Sequence, residues 1–492
     1  MGILDSHPEY TATSSLDDLR AAEYSYLDEQ DHVYLDYTGA GLAAKAQHAA
    51  HAARLSGTLF GNPHSQHPPS ASATTAIATT RARVLAHLNA SPAEYVVIFT
   101  PNATAAARLV GEAYPFRRGR RLVLTTDNHN SVNGLREFAR QGRAKTVYVP
   151  TTAPELRVDT AALLAALPRS TARGVFSTCF GGEGRKKDGR NGLLAYPAQS
   201  NFSGVRHPLG WVSLAQERGY DVLLDAAAYL PTATLDLSGA TKPEFVIMSW
   251  YKVFGYPTGV GCLVAKREAL ERLGRPWFSG GTIQAVSVGV SWHRMAGGEE
   301  GFEDGTVNFL AIPDVGVGLD WLAGVGMGKV EVRVRCLTGW FLDRLKGLRH
   351  SDGRPMAVVY GPRGTEMRGG TVTFNFLDAR GRVVDDRIVG EEAAAARIAI
   401  RTGCFCNPGA GESAFGIRFP RDALRRLMSA RHVLGLDEYV GLLGLPSAPG
   451  AVRVSFGVVS NTADVDRFFG FAEKTYKDRV ASSEGLPPRT NC

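Results

Sequence analysis

The chain has 492 residues, 44% of them hydrophobic and 21% charged, with a formal net charge of +7. These are ordinary globular values for a chain able to bury two or three cores, and they exclude a disordered chain or a small disulfide-stapled fold. The positive charge gathers at Arg117, Arg118, Arg120, Arg121 and at Arg185, Lys186, Lys187, Arg190, without interleaved aromatic residues, so solvated loops are expected and no nucleic-acid partner.

Residues 1–30 are polar and acidic and predict a loose N-terminal arm with a short helix. No basic stretch precedes an apolar core there, so no secretory leader is expected. Met1-Gly2-Ile3-Leu4-Asp5-Ser6 fits the loose myristoylation pattern, a match that often arises by chance. No apolar run approaches the ~18 residues of a membrane helix, so a cytoplasmic protein without a membrane partner is expected. From residue 31 to 330 the pattern predicts a large domain. Thr75–Leu88 reads as a helix, and Tyr95–Thr100 as a buried strand. Further strands are predicted at 121–125, 146–149, 174–178, 194–199, 222–225, 245–248 and 259–264, mostly with helices between. Such alternation argues for an α/β fold with a mostly parallel sheet between helices, and the unbroken apolar runs fit strands buried on both faces.

Residues 331–481 predict a smaller α+β domain. Val330–Leu348 reads as a helix and Gly370–Phe376 as a strand. Helices are expected at Glu391–Ile400, Asp422–Met428 and Thr462–Lys477. Residues 482–492, with Gly485, Pro487 and Pro488, predict a disordered tail. The six cysteines, Cys179, Cys262, Cys336, Cys404, Cys406 and Cys492, are irregularly spaced with no Cys-x-x-Cys pair, so free thiols are expected.

Ligand residues in such sheets belong just past the strand carboxyl ends. Polar residues stand there repeatedly: Asn102 and Thr104 after the first strand, Asp127-Asn128-His129-Asn130 after the second, then Asn201, Asp225, Ser249 and Lys252. Pyridoxal-phosphate chemistry needs a lysine to carry the cofactor as a Schiff base and a carboxylate to keep the pyridine nitrogen protonated. Lys252 and Asp225 supply that pair. His129 offers a flat ring to lie over the cofactor. Asn102-Ala103-Thr104, opening a helix, offers backbone N–H groups and a hydroxyl to the phosphate. Alone, each has a plainer reading: a surface lysine, a helix-capping aspartate, a satisfied core histidine. Together they meet the demands of one ligand.

The chain resembles the fold-type I, class V aminotransferase group, which includes the cysteine desulfurases. It is similar in particular to the N-terminal, desulfurase-like domain of molybdenum cofactor sulfurases. The resemblance runs from about residue 30 to 475. It is carried by Tyr34-Leu35-Asp36-Tyr37-Thr38-Gly39-Ala40-Gly41, Gly61-Asn62-Pro63-His64-Ser65, Ser249 to Gly259, Phe302 to Thr306 and, most specifically, Arg401-Thr402-Gly403-Cys404-Phe405-Cys406-Asn407-Pro408-Gly409. It implies a fold-type I architecture with a seven-stranded sheet and pyridoxal 5'-phosphate as cofactor. Lys252 matches the cofactor lysine, Asp225 the pyridinium partner, His129 the stacking histidine, and Asn201 the residue beside the cofactor's phenolic oxygen and the substrate. Thr104, Ser249 and Tyr251 match phosphate-site positions. Thr306 matches a residue that reaches the phosphate of the other subunit, which implies a homodimer. Arg453 matches the arginine that grips the substrate carboxylate, and Cys406 the nucleophile that takes sulfur from L-cysteine as a persulfide. Arg401 is placed to favour the thiolate, and Cys404 is left open.

Some positions depart from the pattern. Ala228 stands where desulfurases often carry glutamine, Gly411 where many relatives carry cysteine, and the chain ends soon after Arg453, at Cys492. These leave the sulfur acceptor undefined. The alternative reading is another pyridoxal-phosphate reaction on an amino acid: C–S lysis, transamination, epimerisation or carbon–carbon chemistry. A third is a non-catalytic binding protein that keeps the fold.

Overall fold

The computed structural model describes residues 2–169, 189–419, 422–429, 435–442, 450–482, 485–486 and 489. The expected strand at 174–178, Cys179, Lys186 and most of the tail lie outside the described residues. Seven strands form the main sheet: β1 (Tyr95–Thr100), β2 (Arg121–Thr125), β3 (Lys145–Val149), β4 (Gly192–Pro197), β5 (Tyr220–Asp225), β6 (Phe245–Ser249) and β7 (Gly261–Lys266). Their order is β1-β7-β6-β5-β4-β2-β3, and only β7 runs antiparallel to its neighbours. This is the mostly parallel α/β sheet that the sequence predicts.

Both faces of the sheet are covered, which explains the unbroken apolar runs. In β5, Val222 and Leu224 join the core on one face, while Leu223 joins the core on the other. In β1, Val97 and Phe99 alternate in the same way with Val96 and Ile98. Period-two alternation thus distributes apolar side chains to two cores. Because β1 and β6 flank the single antiparallel strand, their carboxyl ends share one sheet edge with those of β2, β4 and β5. Gly261 of β7 pairs with both Thr100 and Ser249, which sets those two ends in one row. A Cβ at Gly261 would stand 2.7 Å from the Asn102 backbone.

A second sheet holds β8 (Ala357–Tyr360), β9 (Thr371–Phe376), β10 (Arg401–Gly403) and β11 (Ala451–Ser455), antiparallel in the order β8-β9-β11-β10. Helices α1 (Met327–Gly347) and α2 (Thr462–Tyr476) pack there through Leu337, Phe341, Phe468 and Phe469, against Phe374 and Phe376. Two expectations are corrected. The helix expected over Glu391–Ile400 spans Asp386–Ala395, with Asp385 capping it, and Ile398–Ala399 pairs instead as a short strand with Val33–Tyr34. The N-terminal arm is not loose. Ile3, Leu16, Tyr24 and Leu27 are buried in the core of the second sheet. Arg20 is fixed between Asp28 and Asp464, and Arg333 of α1 reaches Thr13 and Asp17. Polar composition suggested looseness because these charges read as solvated until Asp464 and Arg333, hundreds of residues away, are known as partners.

The cysteine expectation also needs correction at one position. Cys262, Cys336 and Cys406 are free, but Cys404 is disulfide-bonded. Spacing along the chain carries no information on such a bond, which depends on approach in space. Among the described residues no helix is long and apolar enough to cross a membrane.

Candidate active site

The five aligned strand ends open onto one cavity, lined by Asn102, Ala103, Thr104, His129, Ser131, Gln199, Asn201, Asp225, Ser249, Tyr251 and Lys252, among others. Nine of the predicted site residues therefore meet there. Asp225 closes β5 and is buried, with Oδ1 accepting the Ala227 N–H at 2.9 Å. Burial pushes its carboxyl up, opposed by that hydrogen bond and by Lys252. Lys252 lies on α3 (Trp250–Phe254), directly after β6. Burial pushes its ammonium down, and nearby Arg453 adds to this, while Asp225 and Asp36 oppose it. Asp225 and Lys252 feel each other's charge and line the same cavity without a direct ion pair between them.

His129 is held to one tautomer. The Ser131 backbone N–H donates to its Nδ1 at 3.1 Å, and the Ser131 hydroxyl lies 2.8 Å from the same atom. An N–H can only donate, so Nδ1 is the acceptor and the ring proton sits on Nε2. Burial, Lys252 and Arg453 hold its pKa down to about 4, so the ring is neutral at ordinary pH. Ser131 in turn bonds Thr104 at 2.7 Å, which ties the stacking ring to the predicted phosphate corner. At that corner Asn102 caps α4 (Ala103–Ala113) by accepting the Ala105 N–H. The Ser249 hydroxyl accepts the Ala103 N–H at 2.8 Å.

The Cys406 loop is fastened to the cavity through Asn201. Asn201 Nδ2 donates to the Phe405 carbonyl at 2.8 Å, and Asn201 Oδ1 accepts from Asn407 Nδ2 at 2.8 Å. Asn407 also donates to the Asp127 carbonyl, and the Asn130 N–H donates to the Cys406 carbonyl at 2.7 Å. The turn needs left-handed backbone at two successive side-chain-bearing residues, Phe405 (φ 57°) and Cys406 (φ 53°). Such conformations cost energy and persist where surrounding contacts impose them. Phe405 is buried against Phe202 and beneath the Arg453 guanidinium, 4.8 Å away. Cys406 itself is exposed.

Arg453 is buried on β11. Its Nη2 pairs with Asp36 at 2.9 Å, and its Nη1 donates to the Asn201 carbonyl at 3.0 Å. Its Nε is buried without a hydrogen-bond partner. Arg401, expected beside the thiolate, instead shares Asp36 from the other side at 3.0 Å. Thr306 lies outside its own chain's cavity, 3.4 Å from the Asn62 side chain. Sequence reasoning missed the work of Ser131, Asn407 and Asp36. Ser131 stands two residues past His129 at a helix start, a spacing that side-chain capping favours and that could have marked it. Asp36 and Asn407 lie inside recognised motifs without an assigned role.

The chain matches the pattern of the family described as aminotransferase class-V over residues 33–177 and 187–468. The chain belongs to the aminotransferase class-V family. Molybdenum cofactor sulfurase of Solanum lycopersicum is 35% identical over 97% of this chain and 59% of its own length. Molybdenum cofactor sulfurase of Homo sapiens is 34% identical over 96% of this chain and 52% of its own length. The chain thus spans little more than half of these relatives. Among solved structures, a cysteine desulfurase from Thermococcus onnurineus NA1 superposes with a TM-score of 0.72 at 22% identity, covering 93% of this chain and 97% of that one. The cysteine desulfurase CsdA from Escherichia coli follows the same course with a TM-score of 0.68 at 20% identity, covering 93% and 98%. These likenesses establish the fold-type I architecture.

Pyridoxal phosphate is the cofactor of this family, and the class-V cavity here fits it. Lys252 has no hydrogen-bond or ion-pair partner among the described residues, and it shares the cavity with the buried Asp225 carboxylate. A flat neutral ring stands at one wall, and a hydroxyl-lined helix start stands at another.

Proposed function

We propose that the chain is a pyridoxal-phosphate-dependent cysteine desulfurase that takes sulfur from L-cysteine, releases L-alanine and holds the sulfur as a persulfide on Cys406. The supporting observation is the fastening of the Cys406 loop to pocket residues. Asn201 and Asn130 hold the two carbonyls of a strained turn, and the thiol between them stays exposed. A nucleophilic sulfur needs that combination of a fixed backbone and an accessible side chain.

Bound pyridoxal phosphate supplies an electron sink for the substrate's α-carbon. Asp225 would hold its ring nitrogen, His129 would pack on its ring, and Thr104, Ser249 and the start of α4 would hold its phosphate. Lys252 would carry it, and the lysine amine would move the substrate's α-proton. Its lowered pKa favours the neutral amine that such a transfer needs. Arg453 takes the substrate carboxylate through the unpaired Nε–H or the second hydrogens of Nη1 and Nη2. The Cys406 thiolate then attacks the substrate sulfur. A sulfur–sulfur bond forms and the carbon–sulfur bond breaks. The carbon side keeps the electron pair, takes a proton and leaves as alanine. A thiol reductant returns Cys406 and releases sulfide.

The functional unit in this reading is a homodimer in which Thr306 approaches the partner's phosphate site. Light scattering is expected to give twice the chain mass, and Thr306→Ala to lose cofactor faster on dialysis. The deciding experiment incubates the holoenzyme with L-cysteine and a thiol reductant and measures alanine and sulfide. Equal amounts of both are expected. Cys406→Ser is expected to lower alanine formation by orders of magnitude while the bound-cofactor absorbance stays intact. Alanine formed by Cys406→Ser at the wild-type rate would reject the persulfide route. Alanine without sulfide would reject desulfuration.

A further inference from the structure

We infer that His7, Glu9 and Cys336 form a zinc site that fastens the N-terminal arm to α1. One ligand atom from each, an imidazole nitrogen, a carboxylate oxygen and a thiol sulfur, lie within 4.8 Å of one another. Among the described residues no other group of three His, Cys, Asp or Glu side chains meets in this way. The three come from segments more than 300 residues apart in the chain, and nothing in the pyridoxal-phosphate reading uses them.

The local fold prepares the arrangement. His7 stands between the helix Ile3–Ser6 and the 3-10 helix Pro8–Thr13, and its N–H donates to the Ile3 carbonyl at 2.7 Å. This fixes the backbone from which both His7 and Glu9 project. Cys336 lies on α1, and Gly339 follows one turn later on the same face. A Cβ at Gly339 would stand 2.8 Å from His7 Nε2, so the missing side chain lets the imidazole onto the helix. His7 Nε2 is buried and has no hydrogen-bond partner. A buried ring nitrogen without a partner is costly in a packed fold, and a metal ion supplies one.

The ligand chemistry selects the ion. A thiolate, an imidazole and a carboxylate form a mixed soft and borderline set suited to zinc, with a water completing four-coordination. Zinc–ligand bonds of ~2.0–2.3 Å put neighbouring tetrahedral ligand atoms about 3.5 Å apart. The three ligand atoms already lie within 4.8 Å of one another, and rotation of the exposed Glu9 side chain can bring its carboxylate onto the ion. Cys336 is fully buried, and the exposed Glu9 carboxylate reaches within 4.8 Å of its sulfur. Metal binding displaces the Cys336 thiol proton, which leaves to solvent as the thiolate forms. The competing cation is Arg335, 3.5 Å from Glu9, but both partners are largely exposed and such a pair is weak. Glu9 also leaves the site open to solvent for metal entry.

The test uses the holoenzyme, stripped of metal by a chelator and titrated with zinc against a chromophoric indicator. Because Cys406 is also an accessible thiol, all measurements are made in a Cys406→Ser background. The expected result is one tightly held zinc per chain in that background, with an unfolding midpoint that rises on zinc addition. Cys336→Ser and His7→Gln should each weaken zinc by roughly 100-fold or more, leave the cofactor absorbance unchanged, and abolish the zinc-dependent rise. His7→Gln keeps the test decisive if Cys336→Ser fails to fold. Absence of tight zinc in the background protein, or unchanged zinc affinity in His7→Gln, overturns the site.

Discussion

His129 shows how a single residue's surroundings set a pH response. Its folded pKa is about 4, against an ordinary histidine value of 6.5. Between those values the unfolded chain binds the extra proton and the folded chain does not, so stability falls as pH drops through that window and levels off below about 4. Cofactor-free protein titrated by NMR should show a His129 imidazole still neutral near pH 5. His129→Asn should flatten the stability profile between pH 4 and 6.5. Asp36 has a different character, because its carboxylate is shared by buried Arg453 and half-exposed Arg401. Asp36→Asn leaves the Arg453 charge buried and poorly paired, at a cost of about 3–5 kcal/mol. Chemical denaturation measures that loss, and a raised KM for L-cysteine with a retained cofactor spectrum would identify Asp36 as a positioning residue for Arg453. Lys252, Asp225, His129 and Asn201 were legible because strand ends mark ligand positions. Asp36, Ser131 and Asn407 were not, because their work is to hold other site residues and their partners appear only in three dimensions.

At the scale of elements, α3 is held against the segment after Tyr37 by backbone contact. The Gly41 N–H donates to the Tyr251 carbonyl at 3.0 Å. Gly255 ends α3 with φ 78°, and a Cβ there would stand 2.3 Å from the Ala43 nitrogen. Gly255→Ala combines a left-handed penalty with a backbone clash, so a loss of about 1–3 kcal/mol or more is expected. Its diagnostic sign is a weakened cofactor absorbance at equal protein concentration, since Lys252 moves with the helix. The strands of the main sheet could be read within a few residues because each is an apolar run bounded by polar turns. The Asp386–Ala395 helix could not, because its start depends on an Asp385 cap while the alanine-rich sequence beyond it favours helix as far as the observed strand pairing begins.

Across the whole molecule, the sequence reveals the class and the mostly parallel character of the sheet, but neither the strand order nor how the chain's ends are joined. Arg333 is fully buried, pairs its charge with Asp17 and donates hydrogen bonds to Thr13, with the Tyr10 ring beneath it at 4.5 Å. Deleting residues 2–30 removes all of these and exposes the core that Ile3, Leu16, Tyr24 and Leu27 cover. The truncated chain is expected to lose soluble yield and to unfold at lower urea, even though the deletion touches no residue of the cofactor cavity. The loop after β10 links the two sheets in a similar way, with one consequence for how the protein can change. Its anchors are the carbonyls of Phe405 and Cys406, received by Asn201 and Asn130. The architecture therefore makes no use of the thiol. Folding and reactivity are separable at this position, so a different side chain at 406 could alter the chemistry of the rim while the turn beneath it stays closed.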